Sequence, residues 1–259
     1  MHIKAKKSLG QHFLTSEKAV ADIARATSGA VEDTILEIGP GEGVLTESLL
    51  ESGARVIAIE KDDRLIAHLK ERFAREEKEE HFTLVHGDAL EIDFDALGLT
   101  PTSYILAANI PYYITGLLIR AFFTREHLPK RAVLLVQKEV AERIVAPHGK
   151  ESILSIAVKT FGSPRIVRAI PRGMFRPQPS VDSAVLLIED IADPFTSQES
   201  EEHYFEILRR GFSHKRKKLS SNLNCSSDTL TACNIPANAR PEDVPPEAWH
   251  CLAEKVAVQ

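Results

Sequence analysis

The sequence predicts an α/β protein with a mostly parallel sheet and a smaller helical domain after it. Short runs dense in Ile, Leu and Val alternate with amphipathic segments over the first half of the chain. This alternation is typical of a parallel sheet that helices cover on both faces. After Glu189 the strand pattern ends and only helix-like segments follow.

The elements follow in order along the chain. The segment 16–28 predicts an amphipathic helix capped by Ser16. Strands are predicted at 34–39, 55–60, 82–87, 104–109 and 132–137, with helices at 44–53, 64–80, 115–124 and 138–145. Two later runs, 165–170 and 183–189, predict a pair of strands at the edge of the sheet.

A change in composition marks the domain boundary. Residues 190–202, DIADPFTSQESEE, are acidic, polar and interrupted by a proline, as in a linker. Beyond them 203–212 and 215–223 look helical. We therefore expect one domain at 1–191 and a small helical domain at 192–259.

Bulk properties limit the class of protein. With 259 residues and 43% hydrophobic residues, the chain can bury a sizeable core. No segment has the length and apolarity of a membrane span, and the amino-terminal arm lacks the apolar part of a signal peptide. The three cysteines indicate neither a disulfide framework nor a zinc site, so reduced thiols are expected, and no metal site. The sequence thus predicts a cytoplasmic protein that does not associate with membranes.

Charge is unevenly distributed. The net charge of −5 gives no global sign of a polyanionic partner, but Arg209–Lys218 contains six basic and no acidic residues. A basic run is usually a solvated face. Only its combination with other motifs can favour a phosphate contact.

Gly39, Gly41 and Gly43 follow the first strand of the predicted sheet and precede a helix. Without side chains, such a turn lets a ligand approach the helix N-terminus closely. The dinucleotide-binding pattern G-x-G-x-x-G is not met, because Val44 stands at its last position. A tight strand-to-helix connection remains the alternative.

Polar residues also end the next three strands. Glu60 closes the second strand, where an acidic residue can bind a ribose hydroxyl pair, and Asp88 follows the third. The fourth strand ends in Asn109-Ile110-Pro111-Tyr112. Since ligands of open α/β sheets bind outside the carboxyl ends of the strands, this set predicts a site for a nucleoside-bearing cofactor.

Together these motifs resemble those of the ribosomal RNA adenine N6-dimethyltransferases, which have KsgA-type and Erm-type branches. The resemblance adds KSLGQHFL at 7–14 and FRPQPSVDSAV at 175–185, and it covers about residues 4–189. GFSHKRKKLSSNL at 211–223 resembles the start of the KsgA-type C-terminal domain. The resemblance to this family implies a Rossmann-like, S-adenosyl-L-methionine-dependent methyltransferase domain.

The resemblance gives the fourth strand end a chemical role. An exocyclic adenine amine is a weak nucleophile because its lone pair is delocalised into the ring. Asn109 and the carbonyl of Ile110 would accept its hydrogens and free the lone pair, while Pro111 fixes the backbone. Tyr112 would stack on the base, and by resemblance Phe175 would cover the other face.

Further residues are implied on the same basis. Gln11, His12 and Leu14 would line the cofactor site together with Gly39, Gly41, Glu60, Asp88 and Asn109. His12 replaces an Asn common in the family. Phosphate contacts are expected from basic residues in three segments, with Arg165 and Arg168 as further candidates: Lys4, Lys6, Lys7, Arg172, Arg176, Arg209, Arg210, Lys215, Arg216, Lys217 and Lys218.

The predicted function is N6,N6-dimethylation of two adjacent adenosines near the 3′ end of 16S rRNA during 30S ribosome biogenesis, by a monomer acting on a 30S particle or its precursor. One alternative is an Erm-type enzyme that methylates 23S rRNA. Another is a ribosome-assembly factor in which catalysis is secondary. A small-molecule methyltransferase would not need the basic segments.

Overall fold

The computed structural model describes residues 5–6, 10–27, 33–109, 114–124 and 126–257. The chain divides into two compact units. The first comprises Met1–Ala141 and Arg165–Ala192, and the second comprises Glu142–Pro164 and Asp193–Gln259. A boundary drawn at residue 192 assigns the segment 142–164 to the first domain, whereas the structure groups it with the later helices. The chain therefore passes between the units three times.

The first unit is built around strands and the helices that connect them. Its strands are β1 (Phe13–Leu14), β2 (Thr34–Ile38), β3 (Arg55–Glu60), β4 (Phe82–His86), β5 (Tyr104–Asn109), β6 (Arg131–Gln137), β7 (Ser163–Ile170), β8 (Phe175–Arg176) and β9 (Ser183–Glu189). Its helices are α1 (Glu17–Thr27), α2 (Val44–Glu51), α3 (Asp63–Arg72), α4 (Ala74–Lys78), α5 (Thr115–Phe122) and the start of α6 (Lys138–Val145).

Seven strands form one sheet in the order β4-β3-β2-β5-β6-β9-β7. The five strands from β4 to β6 are mutually parallel, and β9 runs antiparallel to β6. The predicted α/β class is therefore confirmed. The late strands differ in one respect from the expectation, because only β7 lies at the edge and β9 lies inside the sheet.

Both faces of the central strands are buried, as the continuous apolar runs predict. Alternate residues such as Ile35, Val56 and Val133 pack in one core with Val20 and Ile23 of α1. The residues between them point to the other face and are buried as well, including Leu36, Ile57 and Leu134.

The predicted charged helix at 64–80 is interrupted. Helix α3 ends at Arg72 and α4 begins at Ala74, and Phe73 between them has φ −112°. The Phe73 ring is buried and lies 5.0 Å from the Phe82 ring. Burial of this side chain at the break offsets the loss of helical continuity.

The second unit contains the end of α6 together with α7 (Ile153–Phe161), α8 (Gln198–Gly211), α9 (Leu219–Leu223), α10 (Ser227–Ala232) and α11 (Ala248–Lys255). Its core surrounds Trp249 and Tyr204, both almost fully buried. Gly211 allows this packing, because a Cβ there would lie 2.5 Å from the Trp249 ring.

The expectation of reduced cysteines is wrong for two of the three. Cys233 and Cys251 form a disulfide with a Cα–Cα distance of 5.6 Å, and only Cys225 is a free thiol. Cys233 follows α10 and Cys251 lies in α11. Sequence spacing did not indicate the pair, because packing of the two helices decides which thiols meet.

Candidate functional site

A cavity of about 170 Å³ opens at the carboxyl edge of the parallel strands. Strand register places the ends of β2, β3, β4 and β5 side by side there. The cavity lining includes Gly39, Gly41, Glu60, Asp88 and Asn109. These five residues were predicted from sequence to share a site, and the sheet brings them together.

The glycine turn after β2 depends on missing side chains. Gly39 and Gly41 have φ values of +71° and +61°, a conformation that residues with a Cβ rarely adopt. A Cβ on Gly39 would lie 3.3 Å from the carbonyl oxygen of Asn109, and one on Gly41 would lie 3.2 Å from the Phe13 ring. The turn can therefore approach both β5 and the amino-terminal arm.

Gly43 completes the turn and precedes α2. Its φ is +83°, and a Cβ would lie 2.6 Å from the Phe73 ring. The break between α3 and α4 thus positions an aromatic side chain directly against the start of α2.

Glu60 is 6% exposed at the end of β3. Its carboxylate accepts hydrogen bonds from the backbone N–H of Gly41 at 3.2 Å and of Asp62 at 2.8 Å. Burial raises the pKa of Glu60, and these two hydrogen bonds oppose the rise. A carboxylate has about four lone-pair positions. The Lys61 backbone also donates to this carboxylate, so one position remains after the three backbone contacts and can accept from a ribose hydroxyl group.

Asp88 follows β4 and also lines the cavity. Its carboxylate accepts from the Lys61 ammonium and from the Leu90 backbone N–H at 3.0 Å. The hydrogen bond from Lys61 lowers the pKa of Asp88. The group is therefore an ionised acceptor at neutral pH, which suits an exocyclic amine of the cofactor base.

The amino-terminal arm is attached to this edge through Gln11. The Gln11 amide donates to Asp62 at 2.8 Å, and its oxygen accepts from the Lys6 backbone N–H at 2.8 Å. Arg64 also binds the Asp62 carboxylate and holds its pKa well below the usual range. Asp62 thus connects the arm to the end of β3.

The arm then pairs with a later segment, as β1 and β8 form an antiparallel two-stranded sheet. His12 lines the cavity, and its Nδ1 donates to the Pro177 carbonyl at 2.7 Å. Leu14 is opposite Phe175 and lines a smaller neighbouring cavity that also touches Asn109. Phe175 itself is 5% exposed and packs in the core. Its role in covering a base stays a prediction.

Glu37 is a further buried carboxyl near this edge, beside Glu60 and Asp62. It is 1% exposed in β2 and accepts from the Thr46 hydroxyl of α2 at 2.7 Å. Burial raises its pKa to about 7, with a smaller contribution from the charge of Glu60. The Glu37–Thr46 hydrogen bond joins the strand before the glycine turn to the helix after it.

Several predicted residues are not brought into the cavity or lie outside the described residues. Pro111 and Tyr112, with Lys4 and Lys7, fall outside the described ranges. Arg210 donates to the carbonyls of Leu223 and Ala257, so hydrogen bonds within the second unit hold its guanidinium group. Most of the other predicted RNA contacts are exposed: Lys6, Arg172, Arg176, Arg209, Lys215, Arg216, Lys217 and Lys218.

Among the residues at the site that sequence reasoning did not single out are Phe13, Lys61 and Asp62. Lys61 and Asp62 directly follow the predicted Glu60, so the polar run EKDD was an available signal. Phe13 lies inside the motif at 7–14, but the motif does not indicate its contact with the glycine turn, which depends on the position of the arm.

Neither a metal site nor a membrane span is present within the described ranges. They contain no group of three or more His, Cys, Asp or Glu side chains able to hold a metal ion. No helix among them has both the length and the apolarity to cross a membrane.

Comparison with known proteins identifies related chains. The family described as ribosomal RNA adenine dimethylase matches residues 2–257. A ribosomal RNA small subunit methyltransferase A of Dehalococcoides mccartyi is 37% identical over 98% of this chain and 89% of its own length. One from Clostridium botulinum is 39% identical over 85% of this chain and 80% of its own.

Solved structures of two methyltransferases are also similar to this chain. A dimethyladenosine transferase from Plasmodium falciparum has a TM-score of 0.79 at 29% identity, covering 94% of this chain and 97% of its own. The 23S rRNA methyltransferase ErmE has a TM-score of 0.76 at 25% identity, covering 94% and 99%.

Proposed function

Because the chain belongs to the ribosomal RNA adenine dimethylase family, we propose that it dimethylates N6 of two adjacent adenosines near the 3′ end of 16S rRNA. It is an rRNA adenine dimethyltransferase that uses S-adenosyl-L-methionine. The observation that carries the proposal is the single cavity shared by the glycine turn, Glu60, Asp88 and Asn109. The 37–39% identity to small-subunit enzymes, against 25% to ErmE, favours 16S over 23S rRNA.

The residues of the cavity divide the work of cofactor binding. Glu60 accepts from a ribose hydroxyl, and Asp88 accepts from the amine of the base. Gly39 and Gly41 keep the first turn free of side chains, so that the ligand can reach the backbone. When bound, the cofactor supplies a methyl group on a sulfonium, which is already electrophilic.

Asn109 acts on the target adenine. It lies at the end of β5, lines the cavity and has its backbone close to Gly39. Its side-chain oxygen accepts a hydrogen of the N6 amine and orients the lone pair toward the cofactor. No general base is required, since the methylated ammonium can release its proton to water. Catalysis then rests on orientation and electrostatics.

RNA affinity comes mainly from the exposed basic residues of the arm, of the 172–176 segment and of Arg209–Lys218. Such contacts position the substrate without reading its sequence. We propose that the protein acts in the cytoplasm as a monomer on a 30S particle or precursor. Sedimentation of the protein alone and with purified particles tests both the monomeric state and the binding to the particle.

The reaction is tested by incubating the protein and cofactor separately with 30S particles and with 23S rRNA. Mass spectrometry of nuclease digests should find two adjacent dimethyladenosines in 16S rRNA only. Modification of 23S rRNA alone would identify an Erm-type enzyme. Binding to the particle without any methyl incorporation would favour the assembly-factor alternative.

The role of the β5 end is tested by single-turnover kinetics with saturating cofactor and RNA. Asn109→Ala removes the acceptor and should slow methyl transfer sharply, while the RNA affinity persists. Tyr112→Phe keeps the stacking ring and should retain substantial activity, whereas Tyr112→Ala should be far slower. Wild-type rates for Asn109→Ala, or equal losses for both Tyr112 variants, would refute amine orientation and base stacking.

A further inference from the structure

A second cleft of about 460 Å³ lies in the first unit, and arginines dominate its lining. We call it the arginine cleft. Its charged members are four arginines and two carboxylates: Asp22, Arg25, Arg131, Arg165, Arg168 and Glu189. Four cations and two anions give these lining residues a net charge of +2.

Each carboxylate holds two arginines. Asp22 in α1 binds Arg25 at 3.1 Å and also binds Arg168 of β7. The hydrogen bond from Arg168 lowers the pKa of Asp22, which keeps the carboxylate ionised. Glu189 at the end of β9 makes the equivalent pair of contacts across the cleft.

Glu189 accepts from the Nε of Arg165 at 2.9 Å and lies 3.5 Å from an Nη of Arg131. Both clusters therefore hold two guanidinium groups on one carboxylate. Arginines fixed in this way lose less side-chain freedom on binding than unrestrained ones do. The cleft is thus a preorganised cationic surface.

The arginine cleft is remote from the cofactor cavity. Arg131 is the first residue of β6 and pairs with Ile105 near the start of β5. The cofactor cavity lies at the opposite, carboxyl edge, beside Asn109. The four residue steps along β6 from Arg131 to Leu135, which pairs with Asn109, span about 13 Å at 3.3 Å per residue.

We propose that the arginine cleft is a second rRNA-binding site, which takes backbone phosphates of the substrate away from the target adenosines. This inference rests on the proposed function. Planar guanidinium groups match phosphate oxygens in a bidentate manner. The described lining includes no aromatic side chain that could anchor a peptide, which favours RNA over a protein partner.

The test uses the double variant Arg25→Gln/Arg165→Gln. These side chains are the more exposed members of the clusters, at 77% and 57%. Their removal leaves Arg168 with Asp22 and Arg131 with Glu189. The control variant Arg75→Gln/Lys78→Gln removes two positive charges from α4, where both residues are exposed.

Binding to a transcript of the 3′ domain of 16S rRNA is measured over a series of salt concentrations. The slope of log K against log salt is negative. In the cleft variant it should become less steep, by about 0.7–0.9 for each phosphate that the protein no longer neutralises. The control should keep the wild-type slope, and Arg25→Lys/Arg165→Lys should restore it largely. Cofactor affinity, measured by calorimetry, reports that the cofactor cavity is intact.

An unchanged slope in the cleft variant would overturn the inference, as would an equal decrease in the control. Methyl incorporation by the wild-type protein is measured on the same transcript. Methyl incorporation is also measured on 30S particles, and a wild type that transfers no methyl group to them contradicts the proposed function, while the salt slopes still decide the role of the cleft.

Discussion

Stability should depend on pH through the buried carboxyl of Glu37. Its pKa is raised from 4.5 to about 7, mainly by burial. Below pH 4.5 the group is protonated in both the folded and the unfolded chain. As the pH rises, the unfolded chain releases its proton first, so the stability associated with the protonated form is lost through about pH 7.

The uncharged isostere Glu37→Gln removes this loss. The shift of the pKa corresponds to roughly 3 kcal/mol, of which about 2 to 3 kcal/mol falls between pH 5 and pH 8. The free energy of unfolding of the variant, relative to that of the wild type, should therefore increase by that amount as the pH rises from 5 to 8. Urea unfolding followed by circular dichroism measures it, with the exposed Glu71→Gln of α3 as a control. Parallel pH profiles of Glu37→Gln and wild type would refute the reasoning.

Three further outcomes are expected. Glu60→Gln should weaken cofactor binding by about 1.5–3 kcal/mol because a charged acceptor is removed; unchanged affinity in calorimetry would contradict its assignment to the ribose. Gly43→Ala should lower the melting temperature more than Gly98→Ala, because both have positive φ but only Gly43 faces a ring within 3 Å; equal decreases would show that the contact is unimportant. Cys251→Ser should cost about 3 kcal/mol of stability under non-reducing conditions, since the bond to Cys233 closes a loop with a separation of 18 residues; an unchanged unfolding midpoint would argue against that bond.

The sequence predicted those parts of the site that follow from strand ends. Glu60, Asp88 and Asn109 each close or follow a parallel strand, and parallel strands bring such residues to one edge whatever their separation in sequence. The contact of Phe13 with Gly41 could not be predicted in this way. It depends on pairing of β1 with β8, whose residues lie some 160 positions apart, and the two motifs that contain these strands do not indicate that they pair.

The same distinction applies to the fold. Apolar runs predicted the central strands. They did not predict that β9 lies between β6 and β7, because an apolar run does not specify which strands will lie beside it in the sheet. Nothing in the local pattern of 142–164 assigns it to the second unit. That assignment follows from burial of Ile156 in the core around Trp249.

The division of the second unit along the chain has a consequence during translation. Its first segment, Glu142–Pro164, is synthesised before the partner residues Asp193–Gln259. At about 5–20 residues per second, synthesis of the 95 residues from 165 to 259 takes roughly 5 to 19 seconds. During that time Ile156 and Phe161 lack the apolar side chains that later surround them, so this short apolar segment is exposed and has no tertiary packing to stabilise it as a helix. Burial of this segment therefore requires the residues Asp193–Gln259, and completion of the sheet is not sufficient for it.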